Sequence, residues 1–211
     1  MVYSLLRRVS ANCANYTIPR QARNRQLQFL GPRRIALQMP NCAQHSSPVQ
    51  SRPLLPMSET AAKPRIAIGS DHAGFSVKET IRKYLEAAGY AVDDQGTHSE
   101  ESVDYPDYGK AVGERVASKR ADLGIAVCGS GIGISIAANK VPGIRAALAH
   151  DVMTARLARE HNDANVLALG GRIVTPAAAL GMVQTFLTTA YLGGRHQLRI
   201  DKITQMEPQK Y

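Results

Sequence analysis

From residue 64 onward, short apolar segments alternate with longer ones whose apolar residues recur every three or four positions. Residues 65–69, 91–95, 123–127, 145–149 and 166–169 read as strands, bounded by glycine and polar residues. After the first of them Val77, Ile81, Leu85 and Ala88 repeat at helical spacing until Gly89 ends the helix. Further helices are expected over residues 108–119, over 134–140 with Pro142-Gly143 closing it, over 152–160 and over about 176–191. A last amphipathic helix is expected over about 195–206, after Gly193-Gly194. Five strand-helix units at this spacing predict an α/β fold with a parallel sheet and helices on both faces.

In such sheets ligands bind beyond the carboxyl ends of the strands, so those positions carry the functional argument. They hold Ser70-Asp71-His72 after the first strand, Cys128 after the third, His150-Asp151 after the fourth and Gly170-Gly171-Arg172 after the fifth. The third is the most informative, because Cys128-Gly129-Ser130-Gly131-Ile132-Gly133 joins a strand to a helix. A glycine loop there lets the backbone approach an anion, with the first helical amides pointing at it. Equally, such a turn uses glycine only for its positive φ. A dinucleotide fingerprint G-x-G-x-x-G fails in both frames, which place Ile134 or Ile136 at the third glycine, although Asp151, 20 residues after Gly131, suits a ribose-binding acid. No segment matches the phosphate loop G-x-x-x-x-G-K-[ST].

The other polar groups are ambiguous one by one. An Asp-His pair such as Asp71-His72 is ordinarily a helix cap with a solvated imidazole. His161 closes the fourth helix, where a histidine serves the helix dipole. Arg195 and Arg199, four apart on one helical face, suit either a phosphate clamp or a solvated surface. His45, His98 and His196 carry no special argument, and no His, Cys and carboxylate group has metal-ligand spacing. Together the residues describe a metal-free enzyme with a thiol, imidazoles, a carboxylate and arginines, acting on a small phosphorylated molecule. Proton transfer next to a carbonyl fits that inventory. Hydrolysis through a Cys nucleophile is the chemical alternative, and a nucleotide-binding module without catalysis the alternative of another class.

Composition excludes further classes. The 211 residues carry a formal charge of +9, but residues 1–56 hold eight Arg with no Lys and no acid, leaving +1 for the rest. A nearly neutral body without a basic face excludes a nucleic-acid partner, and no apolar run reaches the 18 or so residues of a membrane span. Seven of the 11 prolines lie in the first 64 residues, which read as a disordered extension. Its origin is a start codon assigned upstream of Met57, an organellar transit peptide or a functional tail. A secretory core is lacking, and Cys13, Cys42 and Cys128 form no disulfide framework, so the expected compartment is the cytoplasm, or an organellar matrix if the extension is a transit peptide.

Gly69-Ser70-Asp71-His72-Ala73-Gly74-Phe75, Asp104-Tyr105-Pro106-Asp107, the Cys128 to Lys140 segment, Glu160-His161-Asn162-Asp163 and Gly194-Arg195-His196-Gln197 resemble, in order, ribose-5-phosphate isomerase of type B. The resemblance spans about residues 65–206, leaving 1–64 without counterpart and 207–211 as a short tail. It implies a Rossmann-like three-layer α/β/α sandwich with a five-stranded parallel sheet and a C-terminal helix that reaches a dimer partner. It implies a cofactor-free, metal-independent aldose-ketose isomerase of the pentose phosphate pathway, working through a cis-enediolate on a small phosphorylated sugar. The wider family also takes galactose 6-phosphate and allose 6-phosphate. By resemblance, Asp71 and His161 open the furanose ring, and Cys128 carries the proton between C2 and C1 with help from Ser130. Family members with a glutamate in the glycine loop have it where this chain has Ile134, which leaves Cys128 as the base. The amides of Gly129, Ser130, Gly131 and Gly133 then hold the oxyanion, and Asn162 the sugar hydroxyls. His72, Arg172, Arg195 and Arg199 surround the phosphate. The family's homodimer shares its active sites, sending His161, Asn162 and Arg172 into the partner's site, with a tetramer as the next assembly.

Because residues 1–56 show no apolar period, deleting them is expected to leave turnover and melting temperature unchanged. A large fall in melting temperature on truncation contradicts that expectation.

Overall fold

The computed structural model describes residues 63–207; of the extension read over 1–64 and the tail read over 207–211, residues 1–62 and 208–211 lie outside them. Five strands, β1 (Ile66–Ser70), β2 (Val92–Asp94), β3 (Leu123–Cys128), β4 (Ala146–Leu148) and β5 (Val166–Gly170), pair in the order β2-β1-β3-β5-β4. Every pairing is parallel, as expected for strands separated by helical crossovers. The helices are α1 (Phe75–Ala87), α2 (Tyr105–Ala117), α3 (Ile132–Ala138), α4 (Val152–Asn162), α5 (Pro176–Thr188) and α6 (Gln197–Thr204). The three-layer sandwich read from the sequence is the fold. No helix among the described residues is long and apolar enough to cross a membrane.

The strands differ between their faces, and that difference sets the layers. Ile66, Ile68, Ile125, Val127, Leu167 and Leu169 pack under α1, α4 and α5, against Ile81, Leu85, Met182 and Phe186. The alternate positions are mostly small, with Ala67, Ala126, Cys128 and Ala168 facing α2 and α3. Small residues let α2 come close: a Cβ on Gly124 would lie 2.7 Å from the Val112 side chain, and one on Gly69 would lie 2.9 Å from it. Cys128 is the last residue on this small-residue face, so its thiol is buried between the sheet and α3.

Most sequence boundaries shift by one to three residues, and two differences are informative. The second helix starts at Tyr105 rather than 108, because Pro106 sits in its first turn, where proline costs no hydrogen bond. The last helix is split into a 3₁₀ turn, Gly194–His196, and α6, since Gly193 and Gly194 hold positive φ values of 64° and 58° that turn the chain. Through Ile200, which is buried, and Glu207, which accepts a hydrogen bond from the Gly143 amide at 2.8 Å, this segment docks on its own chain.

Among the described residues one charged side chain lies wholly inside. Lys78 on α1 is 0% exposed, and its Nζ donates to both Asp94 carboxylate oxygens at 2.9 and 2.8 Å and to the Thr97 carbonyl at 2.8 Å. Glu79 lies 3.2 Å away, its carboxyl held down to about 2 by hydrogen bonds from Arg82 and then Lys78. A carboxyl depressed in this way stabilises the fold above its usual value of 4.5, and that contribution is lost as pH falls toward about 2. Lys78→Ala leaves Asp94 facing an empty, desolvated position and is expected to cost about 3 kcal/mol in denaturant unfolding. A loss below about 1 kcal/mol, typical of exposed pairs, would mean that water satisfies Asp94 instead.

Candidate active site

The sheet order reverses between β1 and β3: β1 leads outward to β2, and the chain then returns to build β3 on the other side of β1. At such a reversal the following loops diverge and leave a crevice at the carboxyl ends. Asp71 stands on one lip, its amide donating to the Val127 carbonyl at 3.2 Å, and Cys128 on the other. Both are nearly inaccessible, at 5% and 3% exposure. An Asp71 carboxylate oxygen accepts the Gly74 amide at 2.9 Å, which fixes it toward the cleft floor.

The glycine loop is shaped by Gly131, which adopts φ 78° and admits no side chain: a Cβ there would lie 2.5 Å from Leu148 and 2.8 Å from the Leu169 carbonyl carbon. That turn aims the Gly131 amide at the sulfur of Cys128, 3.1 Å away. The amide expected to hold an oxyanion thus serves the thiol. Ser130 Oγ accepts the Ile132 amide at 3.3 Å and lines the cleft beside it. Beyond the strand ends the β3–β5 pairing continues, with Gly171 N donating to the Cys128 carbonyl at 2.7 Å and Arg172 N to that of Gly129 at 3.0 Å. The Arg172 guanidinium therefore lies along Gly129, in the same chain's cleft. Within the single chain this pairing keeps Arg172 beside its own cleft.

His72 enters from the β1 side, with Nδ1 3.2 Å from both the amide and the carbonyl of Val103. The open cleft measures about 660 Å³ and is also lined by Tyr105, Gly129, Gly133, Ile132, Ile136 and Ile173. Tyr105 packs on Gly133, where a Cβ would lie 2.6 Å from the ring. The motif Asp104-Tyr105-Pro106-Asp107 assigns Tyr105 no role by itself, although a tyrosine at a helix start that packs on the glycine loop is a usable signal. A groove of about 450 Å³ between α2 and α3, lined by Pro106, Ala137 and Val141 among others, holds neither thiol nor imidazole.

Four expected site residues are elsewhere in the chain. A helix that follows a strand runs back along the sheet, so the end of α4 lies at the amino-terminal rim, opposite Cys128. There Arg145, just before β4, donates to the Asn162 carbonyl at 3.0 Å, and His161 stacks on His196 with ring centroids 4.3 Å apart. Arg195 and Arg199 are exposed on the same segment as His196. Asp151, the candidate ribose-binding acid, instead caps α4 by accepting the Thr154 amide at 2.7 Å. His150 is exposed beyond β4, outside the cleft. No cluster of three or more His, Cys, Asp or Glu side chains suited to a metal ion occurs among the described residues.

Comparison with known proteins places this arrangement. Residues 66–203 match the model of a family described as Ribose/Galactose Isomerase. Ribose-5-phosphate isomerase B of Escherichia coli is 47% identical over 146 residues, covering 69% of this chain and 98% of that protein. A galactose-6-phosphate isomerase subunit of Clostridium acetobutylicum is 48% identical over 126 residues, 60% of this chain and 73% of that one. Among solved structures, Clostridium thermocellum ribose-5-phosphate isomerase B superposes with a TM-score of 0.67 at 55% identity, covering 68% of this chain and 97% of that one. With its matched span and its fold in agreement, the chain belongs to the ribose/galactose isomerase family.

Proposed function

We propose that this protein interconverts D-ribose 5-phosphate and D-ribulose 5-phosphate, with Cys128 as the base that moves the proton and with no metal or cofactor. The carrying observation is the Cys128 sulfur, buried at the cleft floor beside Asp71 and held by the Gly131 amide at 3.1 Å. A donor so placed favours negative charge on the sulfur, which is the form a base needs. The thiolate takes the C2 proton, the C2–H electrons form the C1–C2 double bond, and the carbonyl electrons move onto O1. The resulting cis-enediolate is held by the amides of Gly129, Ser130 and Gly133. Return of the proton to C1, with loss of the O2 proton, gives the ketose, and Ser130 stands beside the sulfur to relay protons between the oxygens. Before this, Asp71 and His161 open the furanose ring. His72, Arg172, Arg195 and Arg199 receive the phosphate, and Asn162 the hydroxyls.

Since His161, Asn162, Arg195 and Arg199 stand at the rim opposite Cys128, a complete site needs them from a second copy. The apolar mouth supports a partner there: Ile132, Ile136 and Ile173 are each more than half exposed. The functional unit is accordingly a homodimer with shared sites. The compartment is the cytoplasm, or an organellar matrix if residues 1–56 act as a transit peptide. A second reading, isomerisation of a 6-phosphorylated hexose, rests on the 48% identity to the galactose-6-phosphate isomerase subunit. Turnover of ribose 5-phosphate set against allose 6-phosphate and galactose 6-phosphate decides between them.

Cys128→Ser keeps the loop but replaces the thiol by a far weaker acid, so turnover is expected to fall by about 10² to 10⁴ with KM little changed. An alkylating reagent should inactivate the parent enzyme unless substrate protects it. Mixing Cys128→Ser subunits with His161→Ala subunits should restore activity, because one site of each hybrid dimer regains both groups. Near-normal turnover of Cys128→Ser removes the base from this mechanism, and absence of recovery in the mixture removes the shared site.

A further inference from the structure

The stacked pair of imidazoles at the amino-terminal rim is the feature that the mechanism uses least. His161 and His196 lie face to face, with centroids 4.3 Å apart and planes within 8° of parallel. They come from elements far apart in sequence, the end of α4 and the 3₁₀ turn after α5. The two positive-φ glycines, Gly193 and Gly194, create the bend that delivers His196 to this place.

The backbone beneath His161 is fastened independently of the stack. Asp163 adopts a left-handed φ of 42° at the end of α4, and its carboxylate is gripped by Arg145 at 3.1 Å and Arg159 at 2.8 Å. Arg145 also donates to the Asn162 and Asp163 carbonyls at 3.0 and 3.1 Å. The Leu192 amide, on the segment leading to His196, donates to the Glu160 carbonyl at 3.1 Å. This clamp fixes where the imidazole is attached but not how its ring is turned. Among the described residues no hydrogen bond engages the ring nitrogens of either histidine, and the contact that meets the His161 ring is the face of His196. A catalytic imidazole is more often oriented by a hydrogen bond to its second nitrogen. Holding the ring by its face instead leaves both nitrogens of His161 free to exchange protons.

We propose that His196 is a positioning residue for His161: its stacked ring fixes the plane of the His161 imidazole so that it can transfer the proton that opens the sugar ring. The proposal rests on the ring-opening role given to His161 above. Electrostatics agree with it. Burial, and then His161, Arg195 and Arg199, hold His196 below its usual proton affinity.

Four measurements on the full-length enzyme test this. His196→Ala is expected to lower turnover of the furanose substrate about tenfold to a hundredfold, the scale of a displaced catalytic group, with KM and melting temperature near those of the parent. Exchange of substrate hydrogen with deuterated water, begun from the open-chain ribulose 5-phosphate, should be spared, since that step needs no ring opening. His196→Phe, which restores a flat ring without titratable nitrogens, should recover most of the turnover. The ring resonances of His161 should move in His196→Ala and return in His196→Phe. Unchanged turnover in His196→Ala, loss of exchange along with turnover, or failure of His196→Phe to recover what His196→Ala loses would each overturn the proposal. The underlying assignment fails separately, if His161→Ala itself turns over the furanose normally.

Discussion

Everything catalytic in this molecule depends on the parallel pairing of β1 with β3, whose register from Ile66↔Leu123 to Ser70↔Val127 brings two distant strand ends level. Because the sheet order reverses there, no crossover covers those ends, and Asp71 and Cys128 face each other across an open crevice. The pairing is close because both strands are buried on two faces, with large residues toward α1 and α5 and small ones toward α2 and α3. The small face lets α2 and α3 approach the sheet, and that approach carries Tyr105 and the glycine loop to the mouth of the crevice.

Around the crevice, polar groups that cannot reach water are tied together rather than left as loose charges, as burial requires. Lys78 joins α1 to Asp94 and to the Thr97 carbonyl, and Thr97 N in turn donates to the Ser70 carbonyl at 2.7 Å. The segment after β2 is thereby sewn to the end of β1, one residue before Asp71. On the opposite rim, the grip of Arg145 and Arg159 on Asp163 does the same for the end of α4. Each half of the proposed site is therefore rigid on its own. What the single chain lacks is a way to bring the halves together, since a helix returning from a strand end necessarily finishes at the other edge of the sheet.

Much of this was legible in the chain, for reasons that are local. The apolar strands and the Val77, Ile81, Leu85 series have periods that only one backbone geometry can bury, and all five strands and all the expected helices occur. The thiol at the end of a strand, followed by glycines, was legible too, because positive φ and close approach are properties of residues next to each other. Less legible were Tyr105, whose role arises only when α2 packs on Gly133, and the fate of Asp151, whose ribose-compatible spacing is taken up by the Thr154 amide. His196 stands in the motif Gly194-Arg195-His196-Gln197 with no role legible there, for its partner lies 35 residues back along the chain.

The sequence by itself determined the kind and order of the elements and the presence of a thiol, a carboxylate and imidazoles at their ends, since periodicity, capping and glycine conformation act within a few residues. Only the tertiary structure decided the strand order, and with it which groups share a rim. It set Arg172 beside Gly129 in the chain's own cleft, sent His161, Asn162, Arg195 and Arg199 to the far side, and stacked His161 on His196. Those outcomes follow from the direction of each crossover and from contacts between residues far apart in the chain, which no local pattern encodes.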